Sequence, residues 1–201
     1  MAKLRGPLFS LGASQQLGKA LVFFPWKGLN VVREYVVPSN PKTTGQTTQR
    51  GYLTLAVALV HGLQAWSAHM MTSTDVSAYA LWGSTFATPR TWFNQAVKNY
   101  IDQKVASKTG MIYCAGVTTP GASKLDVIIY GQSDPASAGN FKYGTSKTAL
   151  IHSKAATAAT PQYNASITGL TTGVKYFWQF VPTAPAGSVG CKSGIYYGTP
   201  T

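Results

Sequence analysis

Five carboxylates and three histidines supply all the side-chain acid–base chemistry of this chain near neutral pH: Glu34, Asp75, Asp102, Asp126 and Asp134, with His61, His69 and His152. General acid–base or nucleophilic catalysis requires such groups within hydrogen-bond reach of one another. Here the acids fall on different predicted elements, and the spacing builds no catalytic pair. His61 and His69 are eight residues apart, the first on a predicted helix and the second just past its end, but no carboxylate or third ligand accompanies them, which argues against a metal site. His152 stands alone beside a predicted strand. Neither GxGxxG nor GxxxxGK[ST] occurs, so no phosphate-cradling loop is readable. We therefore expect no catalytic residue, no metal and no cofactor. Asn164-Ala-Ser166 fits a glycosylation acceptor, but it lies on a predicted strand and reads as chance.

Cys114 and Cys191 are the two cysteines, too few for a disulfide scaffold and without metal-ligand spacing. They fall on the first strand and near the last strand of the C-terminal half. A disulfide is open to them in an oxidising setting if those strands are neighbours; two separately buried thiols is the preferred reading.

Lys and Arg number 17 against 5 acids, a net charge of +12, although charged residues make up only 11% of the chain. Residues 1–108 carry eleven basic and three acidic side chains, and 109–201 carry six and two. The excess is spread without a run of four basic residues, which suits a basic solvated surface and non-specific attraction of polyanions better than a dedicated nucleic-acid groove. No apolar run near Met1 is long enough for a signal-peptide core, so synthesis in the cytoplasm without a signal peptide is expected. Gly51–Thr74 is uncharged, yet His61, Gly62 and Gln64 break its apolar stretch. It reads as a core helix, with no membrane span.

The elements follow from periodicity. Residues 1–19 lack a sustained period and read as an extended arm ordered by a partner or not at all. Lys19–Trp26 and Val31–Val37, separated by Lys27-Gly28-Leu29-Asn30, predict a β-hairpin stopped by Pro38 and Pro41. Thr43–Ala68 predicts a helix apolar nearly all round, destined for a core or an interface. Ser73 or Thr74 would cap a second helix ending near Gly83, and Thr88-Pro89 would open a third running to Thr109-Gly110. After Gly110 the period shortens to seven strands: Met111–Val117, Leu125–Gly131, Phe141–Tyr143, Ala149–His152, Tyr163–Ile167, Val174–Val181 and Gly194–Tyr197. Thr119–Ser123, Ser133–Gly139 and the Ala/Thr-rich 155–160 would be loops. The fold class is α+β, with three parts: the arm 1–19, a hairpin and helical assembly domain 20–109, and an all-β immunoglobulin-like sandwich 110–201.

Leu170, Gly173 and Tyr176 have the spacing of a sandwich corner, in which a tyrosine hydroxyl bonds back to upstream backbone. With Tyr143-Gly-Thr-Ser-Lys147, they make residues 110–201 resemble fibronectin type III domains. The tryptophan usual on the second strand of that family is absent, with Ile129 or Tyr130 near its place. Lys27-Gly28, Val32-Arg33, Val37-Pro38, Asn40-Pro41, Thr44 and Gln46 resemble a motif of uncharacterised structural proteins of tailed phages and prophages. That resemblance implies a virion or filament component, not a catalyst.

The leading expectation is a non-enzymatic structural subunit of a phage virion or related self-assembling particle, resident in a virion or extracellular assembly. Its partners would be copies of itself and other virion or filament proteins. The interface would draw on Phe23, Phe24, Trp26, Arg33 and Tyr35 of the hairpin and on Leu55, Leu59 and Leu63 of the helix. An edge strand such as Lys19–Trp26 would add to a neighbour's sheet, and the sandwich would project outward. One alternative is an adhesin that binds a cell-surface glycan or protein through Tyr196, Tyr197 or the Ser133–Gly139 loop. A second alternative is a polyanion- or nucleic-acid-binding protein.

Overall fold

Strand-forming residues around a two-residue turn shape the first part of the chain. The computed structural model describes residues 2–4, 15–18, 20–37, 39–132 and 136–201. Most of the expected arm (5–14 and Lys19), Pro38 and Asp134 lie outside the described residues. The chain divides into two units, Met1–Thr43 and Thr44–Thr201.

In the first unit, β1 (Ala2–Leu4), β2 (Gln15–Leu17), β3 (Leu21–Trp26) and β4 (Leu29–Glu34) form an antiparallel sheet in the order β1-β4-β3-β2. Lys27 and Gly28 both have positive φ, 48° and 76°, as a type I′ hairpin turn requires. Leu29 and Asn30, expected in the turn, therefore begin β4 and face Trp26 and Pro25. The expectation of a partner-ordered arm is corrected for its described residues: Ala2–Leu4 pairs with β4 and Gln15–Leu17 with β3. Consequently β3 is an inner strand, and the expected edge for strand addition is already occupied. Pro25 lies beyond the stretch that β2 covers, so its missing N–H leaves no bond to β2 unmade. Phe23 and Val31 are buried, and the Arg33 guanidinium lies 5.4 Å from the centre of the Phe24 ring.

The second unit begins with α1 (Thr44–Gln64), α2 (Ser73–Gly83) and α3 (Trp92–Val105). Ala56, Val60 and Leu63 make the buried face of α1 at four- and three-residue steps. Its N-terminal half, Thr44-Gly-Gln-Thr-Thr-Gln-Arg-Gly51, is polar and exposed, so the expectation of a helix apolar nearly all round is corrected for that half. The cap of α3 is Thr91, three residues beyond the expected Thr88; its hydroxyl accepts from the Asn94 N–H at 3.3 Å.

Eight strands follow: β5 (Cys114–Gly121), β6 (Lys124–Tyr130), β7 (Ala138–Gly144), β8 (His152–Ala155), β9 (Thr157–Ala159), β10 (Gln162–Thr168), β11 (Tyr176–Ala184) and β12 (Tyr196–Gly198). They form two antiparallel sheets, β5-β6-β10-β9 and β12-β11-β7-β8. Inward residues of both, including Val127, Ile129, Tyr163, Phe141, Trp178 and Phe180, share one core. Three loop expectations are corrected: Thr157–Ala159 pairs with β10, β5 continues through Thr119-Pro120-Gly121 against β6, and Ala138 and Gly139 of the expected 133–139 loop pair with β11, while 133–135 lie outside the described residues. The class is α+β, three helices with antiparallel sheets.

A second core lies among the helices, and residues 111–114 join the two. Met111 and Tyr113 enter the sheet core, while Ile112 and Cys114 enter the helical core with Val60, Leu63, Tyr79 and Tyr100. This is the alternation of an extended chain with a hydrophobic layer on each side. It explains why the chain does not divide at the expected 109/110. The helices and sheets exchange side chains across the segment expected to separate them.

Candidate functional site

The tightest cluster of polar chemistry in the second unit surrounds Asp75, at the third residue of α2. Its carboxylate is fully buried. Oδ2 accepts from the Thr72 N–H at 2.6 Å, the Thr72 hydroxyl at 2.9 Å and the Ala115 N–H at 3.0 Å. Oδ1 accepts from the Gly116 N–H at 2.9 Å and the Tyr196 hydroxyl at 2.6 Å. The two Thr72 bonds are helix-start contacts between the N-cap and the third helical residue. The others tie α2 to β5 and β12, the adjoining edge strands of the two sheets.

A β-bulge makes those contacts. Ala115 and Gly116 together face one residue of β6, and Ala115 is left-handed at φ 51°, an unfavourable conformation for a residue with a Cβ. Both N–H groups point at the carboxylate. Gly116 has a separate requirement, since a Cβ there would lie 2.2 Å from Cε1 of Tyr196. The phenol bonded to Asp75 can approach only because position 116 has no side chain.

With five donors on two oxygens, Asp75 has no lone pair left for a substrate. It acts as a structural node. Burial, then the charge of Asp75, pushes the Tyr196 phenol well above its ordinary 10.0; burial does the same to Tyr79. Tyr79 donates to the Tyr113 carbonyl at 3.0 Å and accepts from the Tyr113 N–H at 3.1 Å. Beside the node opens a cleft of about 590 Å³ whose walls include Ser73, Thr74, Ser77, Thr118 and Tyr197. Its chemistry is neutral hydrogen bonding by hydroxyls, with no nucleophile–base pair.

Cys114 and Cys191 are not joined. Each lies in a different core, and their thiols donate to the carbonyls of His69 at 3.3 Å and Thr109 at 2.7 Å. The disulfide option is thereby corrected in favour of two separately buried thiols. Burial, reinforced by Asp75, raises the Cys114 thiol from 9.0 to about 12. A raised acid pKa keeps its proton in the folded chain after the unfolded chain has lost it, so stability falls with rising pH. We expect the urea midpoint to hold up to about pH 9 and to fall between pH 9 and 12, with Tyr79 and Tyr196 adding to the loss above about 10. Cys114→Ala would shallow the first part of that slope. An unchanged midpoint from pH 9 to 11 contradicts this account.

The expected interface residues are dispersed. Phe23 is buried in the first unit, Phe24 and Tyr35 are half-buried, and Trp26 and Arg33 are exposed. On α1, Leu55 is exposed and Leu59 half-buried, but Leu63 is wholly inside the helical core. Leu63 is thus corrected from interface to core. Tyr196, expected as an exposed recognition residue, is also buried; Tyr197 is exposed, with Lys175 Nζ 4.3 Å from the centre of its ring. Among the described residues no three metal-ligating side chains gather. His69 instead stacks on Tyr130, with ring centres 3.6 Å apart.

At the expected corner, Leu170 is buried, Gly173 has φ 78°, and the Tyr176 hydroxyl accepts from the Thr171 N–H at 3.2 Å. That donor holds the Tyr176 phenol below its ordinary 10.0. No helix among the described residues is long and apolar enough to cross a membrane. Fold and site together define an α+β protein with a hydrogen-bonded carboxylate node at a helix–sheet junction. Compared with protein-family models, curated proteins and solved structures, the chain matches none.

Proposed function

We propose that the chain is a non-enzymatic structural subunit of a phage virion or a related self-assembling particle, in which an immunoglobulin-like domain of the fibronectin type III kind is displayed. Support for the domain reading comes from strand order. Lettered from β5 as A, the sheets read A-B-E-D and G-F-C-C′, the immunoglobulin-like plan. The Tyr176 contact is the corner that such domains use.

The observation that carries the assembly reading is a pair of exposed leucines near the middle of α1. Leu53 and Leu55 are 46% and 53% exposed on a helix that buries Ala56, Val60 and Leu63 farther along. A helix of 21 residues that leaves two leucines in water near its middle suits burial of that stretch against another copy. The reading predicts rings, tubes or larger oligomers of the purified chain by electron microscopy and light scattering. Leu53→Asp with Leu55→Asp should cut self-association at least tenfold while leaving the circular dichroism unchanged. A wild-type chain that remains monomeric at high micromolar concentration would remove the self-assembly reading.

A further inference from the structure

A second cleft in the Thr44–Thr201 unit, about 480 Å³ in volume, lies between the end of α2 and the β7–β11 ladder. Three separate stretches of chain build it: Trp82, Thr85 and Phe86; Lys142, Lys147, Thr148 and Leu150; and Gln179, Val181, Lys192 and Ile195. Its charge is one-sided. Lys142, Lys147 and Lys192 contribute three ammonium groups, and no carboxylate is among the described residues that line it. None of the three is in an ion pair among the described residues, where Lys98–Asp102 and Lys124–Asp126 are the ion pairs. Lys147 is held in place by donation to the Ser84 hydroxyl at 3.0 Å. That bond to a neutral oxygen leaves its charge uncompensated.

The aromatic component sits with the cations. Trp82 is half-buried and Phe86 is 39% exposed, with the Arg90 guanidinium 4.4 Å from the centre of its ring. Three lysines gathered around a cleft repel one another when it is empty and are relieved by an anion. A purely inorganic anion would leave Trp82, Phe86, Leu150 and Val181 in water. A ligand with a flat apolar ring and an attached anionic group satisfies both halves of the lining. The volume accommodates a nucleotide-sized group.

We propose that this cleft binds the nucleotide units of single-stranded nucleic acid, with a base against Phe86 and Trp82 and the flanking phosphates on Lys142, Lys147 and Lys192. Rings for stacking beside cations for the backbone are the sequence-tolerant mode of single-strand binding. The lysines come from two of these stretches and are not adjacent in either, so no basic run appears in the sequence. The site is independent of the assembly face on α1.

Fluorescence anisotropy of a labelled twelve-residue oligothymidylate with the full chain tests the proposal. Binding should weaken with salt, the logarithm of affinity falling with a slope of about −2 for three single-strand phosphate contacts. Lys142→Gln, Lys147→Gln and Lys192→Gln together should reduce affinity at least tenfold and flatten that slope. Lys154→Gln with Lys175→Gln, on lysines outside the cleft lining, should change affinity less than twofold. Phe86→Ser should weaken binding about fivefold or more without altering the slope. Equal losses in the cleft and control sets, or no binding at 50 mM salt, would overturn the proposal. Displacement by millimolar dTMP would assign the same site to free nucleotides and overturn the polymer assignment, whereas resistance to it supports the polymer.

Discussion

Asp75→Ala is expected to destabilise the Thr44–Thr201 unit by about 3–5 kcal/mol, a large share of the stability of an ordinary domain. The reason lies in what remains. Three backbone N–H groups and two hydroxyls lose their acceptor together, those of Gly116 and Tyr196 inside protein, and an unpaired buried donor costs about 1–3 kcal/mol. Asp75→Asn keeps the volume but turns an amide donor toward other donors, so its loss should be large as well. Tyr196→Phe removes one donor and should cost about 1–2 kcal/mol. In the double variant the two losses should fall short of their sum, because one shared bond is counted in both. Urea denaturation of the four proteins measures this, and additive losses would show that the node is not one network.

The second large effect is expected at Trp178. It is fully buried, stacks on Tyr196 at 4.5 Å between ring centres, meets Phe141 edge-on at 5.4 Å, and donates from Nε1 to the Thr118 hydroxyl at 2.9 Å. Trp178 thus joins β11 to β5 across the sheets and supports the ring whose hydroxyl reaches Asp75. Trp178→Ala should cost about 3–5 kcal/mol through lost burial and the cavity left behind. Trp178→Phe should recover more than half of that loss. If Trp178→Ala costs under 1 kcal/mol, Trp178 does not couple the sheets.

How much of this was legible in the sequence depended on the range of each interaction. β6 and β10 were readable because alternating side chains report burial on one face, as Leu125, Val127 and Ile129 do. β9 was not, because Thr157, Ala158 and Ala159 are all exposed at an edge and leave no alternation. The cap of α3 was misplaced because Thr88-Pro89 and Thr91 both suit a helix start, and only tertiary contacts of the intervening residues choose. Leu63 and Leu55 look alike in a helix that is apolar nearly all round, so the buried side was not separable from the exposed one. The Asp75 node was invisible for another reason. Its partners are mostly backbone N–H groups, aimed by a bulge that no residue type announces, and the cleft lysines come from strands and loops distant in the chain.

The contact between Asp75 and Tyr196 spans 121 residues. At 5–20 residues per second, a ribosome takes roughly 6–24 s to travel that distance. For that interval the newly made α2 lacks the acceptor–donor pair that fastens it, and Gly116 and Ala115 reach it before the tyrosine does. The helix–sheet junction therefore closes only after β12 has been made, and until then its apolar surfaces are open to whatever shields them during translation.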